Sequence, residues 1–230
     1  MENFDPIAWA KENKKEFAQK FIAKSHLTDD DKYSAFIMAG LPGSGKTEFS
    51  KEIVKTYGIH TLRIDMDEIA SQIPTYRPED ADQFRKSATL LMDNVFDLVL
   101  KNRFNFILDG TFGSPRAINN IERALKRDYT IKIMYVHQDP KLAWKYTVAR
   151  EKIEHRAIKQ QGFISTYFKI IQNLQALKSI NSPHLTLDVA IKNPDNSIQK
   201  PRLRNVSPDQ LDNLMNKQYN ENSLKEYIND

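Results

Sequence analysis

The sequence contains no cysteine, which excludes disulfides, thiolate metal sites and cysteine nucleophiles and fits a reducing, cytoplasmic setting. It has no apolar run of 18 residues or more, so no segment reads as a membrane span. Its opening residues, Met1-Glu2-Asn3-Phe4-Asp5-Pro6, lack the basic and apolar stretches of a secretory signal. No internal repeat and no low-complexity linker is visible. The five histidines, at 26, 60, 137, 155 and 184, show no metal-ligand spacing, and no Ser-His-Asp spacing suggests an acyl-transfer triad. The remaining composition, 40 % apolar and 28 % charged, is that of an ordinary globular chain, with length for one α/β domain and appendages.

Glycine is also scarce, seven in all, yet three stand within Gly40-Leu41-Pro42-Gly43-Ser44-Gly45-Lys46-Thr47. That stretch fits the phosphate-loop pattern G-x-x-x-x-G-K-[ST], which arises by chance in about one chain of this length in a hundred. The chemistry requires each residue type. Glycines let backbone N–H groups curl around phosphate oxygens, Lys46 reaches the β/γ-phosphates, and the Thr47 hydroxyl is placed to ligate Mg²⁺. Ser34–Ala39 before it reads as a buried strand and Glu48–Lys55 after it as a helix, the order that sets phosphate at a helix N-terminus. The expected cofactors are therefore ATP and Mg²⁺.

Apolar spacing predicts a helix over 8–24, strands at 60–65, 104–108, 130–136 and 185–191, and helices over 79–101, 115–127, 140–150, 163–179 and 208–228. Pro115 is expected at the first helical position of its helix, and Asn193-Pro194-Asp195-Asn196 to turn the chain. Strands alternating with helices predict a three-layer α/β fold, a parallel sheet with helices on both faces. The expected division is an N-terminal helical extension (1–33), a P-loop kinase domain (34–192) with a lid near 141–178, and an appendage (193–230).

In such sheets ligands bind beyond the carboxyl ends of the strands. Three strands here end in reactive residues: the phosphate loop, Asp65-Met66-Asp67, and Asp109-Gly110-Thr111. Asp67, just past its strand, is the candidate general base, against the plainer role of capping a short helix at 68–70. Asp65 is expected to support the site or touch substrate. Asp109 reads either as a Walker-B-type carboxylate, holding Mg²⁺ directly or through water, or as a loop Asx-turn, and Thr111 as a substrate hydrogen-bonder.

The net charge is +4, but residues 141–178 hold eight Lys/Arg against Glu151 and Glu154, a local excess of six. This is either a solvated helix face or a cationic lid over phosphates. Arg150 and Arg156 lie within it and suit charge stabilisation in phosphoryl transfer, the plain alternative for Arg150 being an i,i+4 pair with Glu154.

Residues 9–195 resemble the zeta toxin family, UDP-N-acetylglucosamine kinases of bacterial toxin–antitoxin systems. The resemblance rests on Gly40–Thr47, Arg63-Ile64-Asp65-Met66-Asp67, Leu108-Asp109-Gly110-Thr111, Ala149-Arg150-Glu151 and Arg156. It implies that Asp67 is the base, that Lys46 and Thr47 serve the nucleotide, and that Arg150 and Arg156 are lid arginines. It further implies that the substrate is the amino-sugar 3′-hydroxyl of a UDP-sugar, that the product blocks cell-wall synthesis, and that any antitoxin is a separate protein. Two departures stand out. Asp109-Gly110-Thr111 replaces the family's Glu-Gly-Thr, one methylene shorter at the carboxylate that the resemblance implies contacts the sugar substrate, and the two arginines are only six residues apart, which implies a shorter lid. Relatives of this shape phosphorylate other hydroxyls, such as a dinucleotide ribose. A polynucleotide 5′-hydroxyl kinase would use lid aromatics (Trp144, Tyr146, Tyr167, Phe168) for stacking, and a nucleotide-binding switch would need no base.

Overall fold

The computed structural model describes residues 4–23, 33–57, 61–154, 158–195, 197–198, 203–215 and 219–229. The elements run α1 (Pro6–Ile22), β1 (Ser34–Ala39), α2 (Lys46–Tyr57), β2 (Leu62–Asp65), α3 (Met66–Ala70), α4 (Ala81–Asn102), β3 (Phe106–Asp109), α5 (Ala117–Leu125), β4 (Thr130–His137), α6 (Pro140–Glu154), α7 (Gln160–Ala176), β5 (Leu185–Ile191), α8 (Pro208–Leu214) and α9 (Glu221–Asn229). The five strands form one parallel sheet in the order β2-β3-β1-β4-β5.

Strand periodicity divides the core between the two faces. Along β1, Ala35, Ile37 and Ala39 enter one apolar cluster, with α1, α4, α5 and α7, while Phe36 and Met38 pack on the other. That second face is covered by Phe49, Ile53 and Val54 of α2 and by Ile198. In β4 the same alternation sends Ile131 and Ile133 one way and Met134 and Val136 the other. The three-layer α/β expectation therefore holds, with β1 at the sheet centre. The chain leaves β1 toward β2 and β3, then crosses to β4 on the other flank. The end of β1 is thus a topological switch point, where such sheets bind ligands.

Several boundaries differ from the sequence reading. Pro115 lies in the turn before α5 rather than at its first position; Ala117 N bonds to Ser114 O, and the helix begins at Ala117. The helix expected over 208–228 is two helices, α8 and α9. Helix α1 packs on α4, and α9 packs on α6 and α7, with Leu224 and Ile228 buried. His26, His60, His155, Arg156 and Asn196 fall outside the described residues.

Candidate active site

The phosphate loop leaves β1 at Gly40. Three glycines of the loop take positive φ, at 144° (Gly40), 76° (Gly43) and 86° (Gly45). At Gly43 a side chain is impossible, since a Cβ there would lie 2.2 Å from the Ala143 carbonyl oxygen and 2.7 Å from Thr147 Oγ1 of α6. The loop is therefore clasped between β1 and α6. Its start is tied to the end of β3 by Gly40 N donating to Thr111 O at 3.1 Å.

Two polar groups of the loop are poised for a ligand. Ser44 is fully buried, and its Oγ has no hydrogen-bond partner among the described residues. Lys46 is 9 % exposed and its ammonium folds back to donate to Leu41 O at 2.6 Å. Burial draws the Lys46 pKa down to about 8, Asp109 pulling the other way and Arg150 adding to the fall. Phosphate oxygens at the loop would hold the proton on Lys46. Nucleotide binding is accordingly expected to take up protons above pH 8, with affinity falling by up to about tenfold per pH unit there. Calorimetry in buffers of differing ionisation enthalpy measures this, and Lys46→Arg should abolish the uptake.

The second and third strand ends meet through Arg63, whose importance the sequence reading missed. Asp65 and Asp109 are direct partners in the β2–β3 register. Arg63, two residues before Asp65 on the same strand face, pairs with Asp65 Oδ2 and donates to Asp109 Oδ2 at 2.9 Å (Nε) and 2.7 Å (Nη2). It also reaches Glu68 at 3.2 Å. Burial works against the guanidinium charge, but these carboxylates outweigh it and raise its pKa. Asp109 takes a further bond from Ser50 Oγ at 2.5 Å, one turn beyond Thr47 in α2. The Asp109 carboxylate is 3 % exposed and faces Ser50 and Arg63, beside the Thr47 turn. The carboxylate's side-chain partners thus come from β2 and α2 rather than from its own loop. Thr47 and Asp109 together offer the hard oxygen donors that Mg²⁺ takes alongside phosphates and water.

Asp65 caps α3. Its Oδ1 accepts from Asp67 N at 2.7 Å and Glu68 N at 3.2 Å, and it is the extended residue ending β2. Burial pushes the Asp65 carboxyl up, against the pull of Arg63 and with help from Asp67 and Asp109. The capping role weighed for Asp67 thus belongs to Asp65. Asp67 lies in the first turn of α3, half-buried, next to this network. Thr111 sits in the loop after β3, its Oγ1 accepting from Gly113 N at 3.2 Å. That loop is clamped by Asn173 of α7, which donates to Phe112 O at 2.7 Å and Ser114 O at 2.9 Å.

The segment expected as a lid comprises α6 and α7. Asp139 begins α6 by accepting from Lys141 N at 2.9 Å and Leu142 N at 3.3 Å, and its second oxygen takes the Tyr227 hydroxyl of α9 at 2.7 Å. Arg150, on the exposed face of α6, lies close enough to act on the Lys46 charge. Three other cations of this segment are engaged elsewhere: Lys159 with Asp82 at 3.2 Å, Lys178 with Asp212 at 2.6 Å, Lys141 over the Tyr227 ring. Three of the four lid aromatics are likewise committed to packing. Trp144 sits edge-on to Phe163, and Tyr167 packs on Phe168 and Tyr219. That is a poor platform for stacking nucleic-acid bases.

The zeta toxin family model matches residues 19–205. No curated protein matches the sequence at a significant level. Among solved structures, a chain of the PezAT chromosomal toxin–antitoxin system of the human pathogen Streptococcus pneumoniae is similar, with TM-score 0.66 and 15 % identity over 96 % of this chain and 93 % of that one. A chain of an AvrRxo1-ORF1:-ORF2 structure with ATP gives TM-score 0.60 and 12 % identity over 90 % and 69 % of the two chains. A chain of the Pnkp1/Rnl/Hen1 RNA repair complex gives 0.51 and 17 % over 65 % and 48 %. At these identities the likeness is one of fold.

Proposed function

Since the chain belongs to the zeta toxin family of P-loop kinases, we propose that it transfers the γ-phosphoryl group of ATP to the amino-sugar 3′-hydroxyl of UDP-N-acetylglucosamine, and is toxic through that product. The observation that carries this reading is the convergence of the Gly40–Thr47 loop, Asp67 and Asp109 at neighbouring strand ends.

On nucleotide binding Lys46 exchanges the Leu41 carbonyl for the β/γ-phosphates, and loop amides cradle the α/β-phosphates. Thr47, with Asp109, would hold Mg²⁺, which would supply neutralisation of the phosphate charge. The sugar hydroxyl oxygen bonds to the γ-phosphorus as the bond from that phosphorus to the β–γ bridging oxygen breaks, releasing ADP. Asp67 accepts the hydroxyl proton. Arg150, with Arg156, stabilises charge spread over the γ-phosphate oxygens. Asp65 holds α3, and so Asp67, in place through its capping bonds. Arg63 and Ser50 orient the Asp109 carboxylate by donating to it, and Thr111 contacts the sugar from the loop after β3.

The protein acts in the cytosol, and a separate antitoxin chain restrains it. Expression in bacteria should slow growth and accumulate a phosphorylated UDP-N-acetyl sugar, whereas Lys46→Ala should do neither. Equal toxicity of both proteins, or no new phosphorylated metabolite, would refute the proposal.

A further inference from the structure

Lys192 follows β5, on the flank of the sheet away from Asp67 and Asp109. Its backbone is fixed from both sides: Lys192 N donates to His137 O at 2.8 Å, and Lys192 bridges Ile198 in a short antiparallel turn. Ile198 in turn packs on the α2 face of the sheet. This anchoring aims the lysine at the phosphate loop. A Cβ built on Gly45 would lie 3.3 Å from Lys192 Nζ and 3.5 Å from Glu48 Oε2. The ammonium acts on the charge of Asp195 in the same turn but makes no hydrogen bond or salt-bridge contact among the described residues, and the buried Ser44 hydroxyl of the phosphate loop is likewise unpartnered there.

We propose that Lys192 is a further nucleotide-binding residue, holding the α/β-phosphates of ATP and ADP. The proposal rests on the phosphate-loop reading. Sheet order fixes which phosphates it serves. The acceptor side, with Asp67, Asp65 and Asp109, lies on the β2–β3 flank of β1, so the transferred γ-phosphate points that way. Lys192 enters from the β4–β5 flank, beside Gly45 and the first turn of α2, where loop amides cradle the α/β-phosphates. Lys46 and Arg150 then serve the β/γ end and Lys192 the nucleoside end. A lone lysine ammonium acts there as a point charge on a flexible stem.

The test compares ADP and ATP binding by calorimetry with steady-state rates for the wild-type chain, Lys192→Met and Lys192→Arg. Lys192→Met is expected to weaken ADP and ATP alike by about tenfold, one charge-assisted contact, while kcat at saturating ATP holds. Its ADP affinity should also fall less steeply with salt, and Lys192→Arg should recover most of the loss. Melting temperature should stay at the wild-type value, which separates a phosphate contact from a merely structural lysine. Unchanged ADP affinity in Lys192→Met overturns the proposal, as does a loss that tracks a fall in melting temperature. If the wild-type chain itself binds no ADP, the phosphate-loop reading fails, and the proposal with it.

Discussion

Asp67→Asn is expected to bind ATP as the wild type does and to lose phosphotransfer by about 10²- to 10⁴-fold, the usual contribution of a positioned general base. The amide keeps the shape of the side chain but cannot take the hydroxyl proton. The structure sharpens this expectation, because helix capping falls to Asp65 and so is not the function that asparagine would preserve at position 67. Asparagine at 67 leaves the first turn of α3 intact, so a loss of rate is chemical in origin. Calorimetric ATP affinity measured beside the steady-state rate tests it. A surviving rate would remove Asp67 from the mechanism.

Arg63→Met is expected to be the most destabilising single change in the site. It strips the cation from Asp65 and from Asp109, whose side chains are 16 % and 3 % exposed. Breaking a buried pair from one side costs about 3–5 kcal/mol, because the remaining charge has no compensation. For a chain of this size that is a fall in melting temperature of roughly 10 °C or more. The pH dependence identifies the cause. Burial already raises the Asp65 pKa, and without Arg63 it rises further. A carboxyl whose folded pKa lies above its unfolded value favours the folded state as pH falls, so the deficit should narrow in acid. Thermal melts from neutral pH toward pH 5 measure it. A pH-independent deficit would mean that lost packing, not stranded charge, is responsible.

The fold was largely legible because its signals are local. Strand–loop–helix order around Gly40–Thr47 and the apolar stripe of α4 each lie within one stretch of chain. Buried strands with turns at their ends give the parallel sheet, and reactive residues at those ends give the site. What was not legible depends on partners far apart in sequence. Arg63 looks like an ordinary polar residue of an edge strand until the β2–β3 register brings Asp109 beside it, 46 positions on. Lys192 is a single lysine directly after a strand, and only the sheet order carries it to Gly45. The choice between Asp65 and Asp67 as cap turns on where β2 ends, and two aspartates separated by one residue carry the same local signal. Composition alone does not sort the cations of 141–178: Lys159 and Lys178 pair with acidic residues, Lys141 covers a tyrosine, and Arg150 acts on the Lys46 charge. The appendage offered no motif, yet α9 braces the start of α6 through the Tyr227–Asp139 bond, a contact between residues 88 positions apart.

The central claim is transfer of phosphate from ATP to a nucleotide-sugar hydroxyl with Asp67 as base. Purified protein incubated with Mg²⁺ and γ-labelled ATP, offered UDP-N-acetylglucosamine, a dinucleotide and a 5′-hydroxyl oligonucleotide in parallel, tests it most directly. The predicted result is label on the UDP-N-acetyl sugar, as one added phosphate by mass spectrometry, and none when Asp67→Asn replaces the wild type. Label on the dinucleotide or oligonucleotide alone, or equal transfer by both proteins, would contradict it.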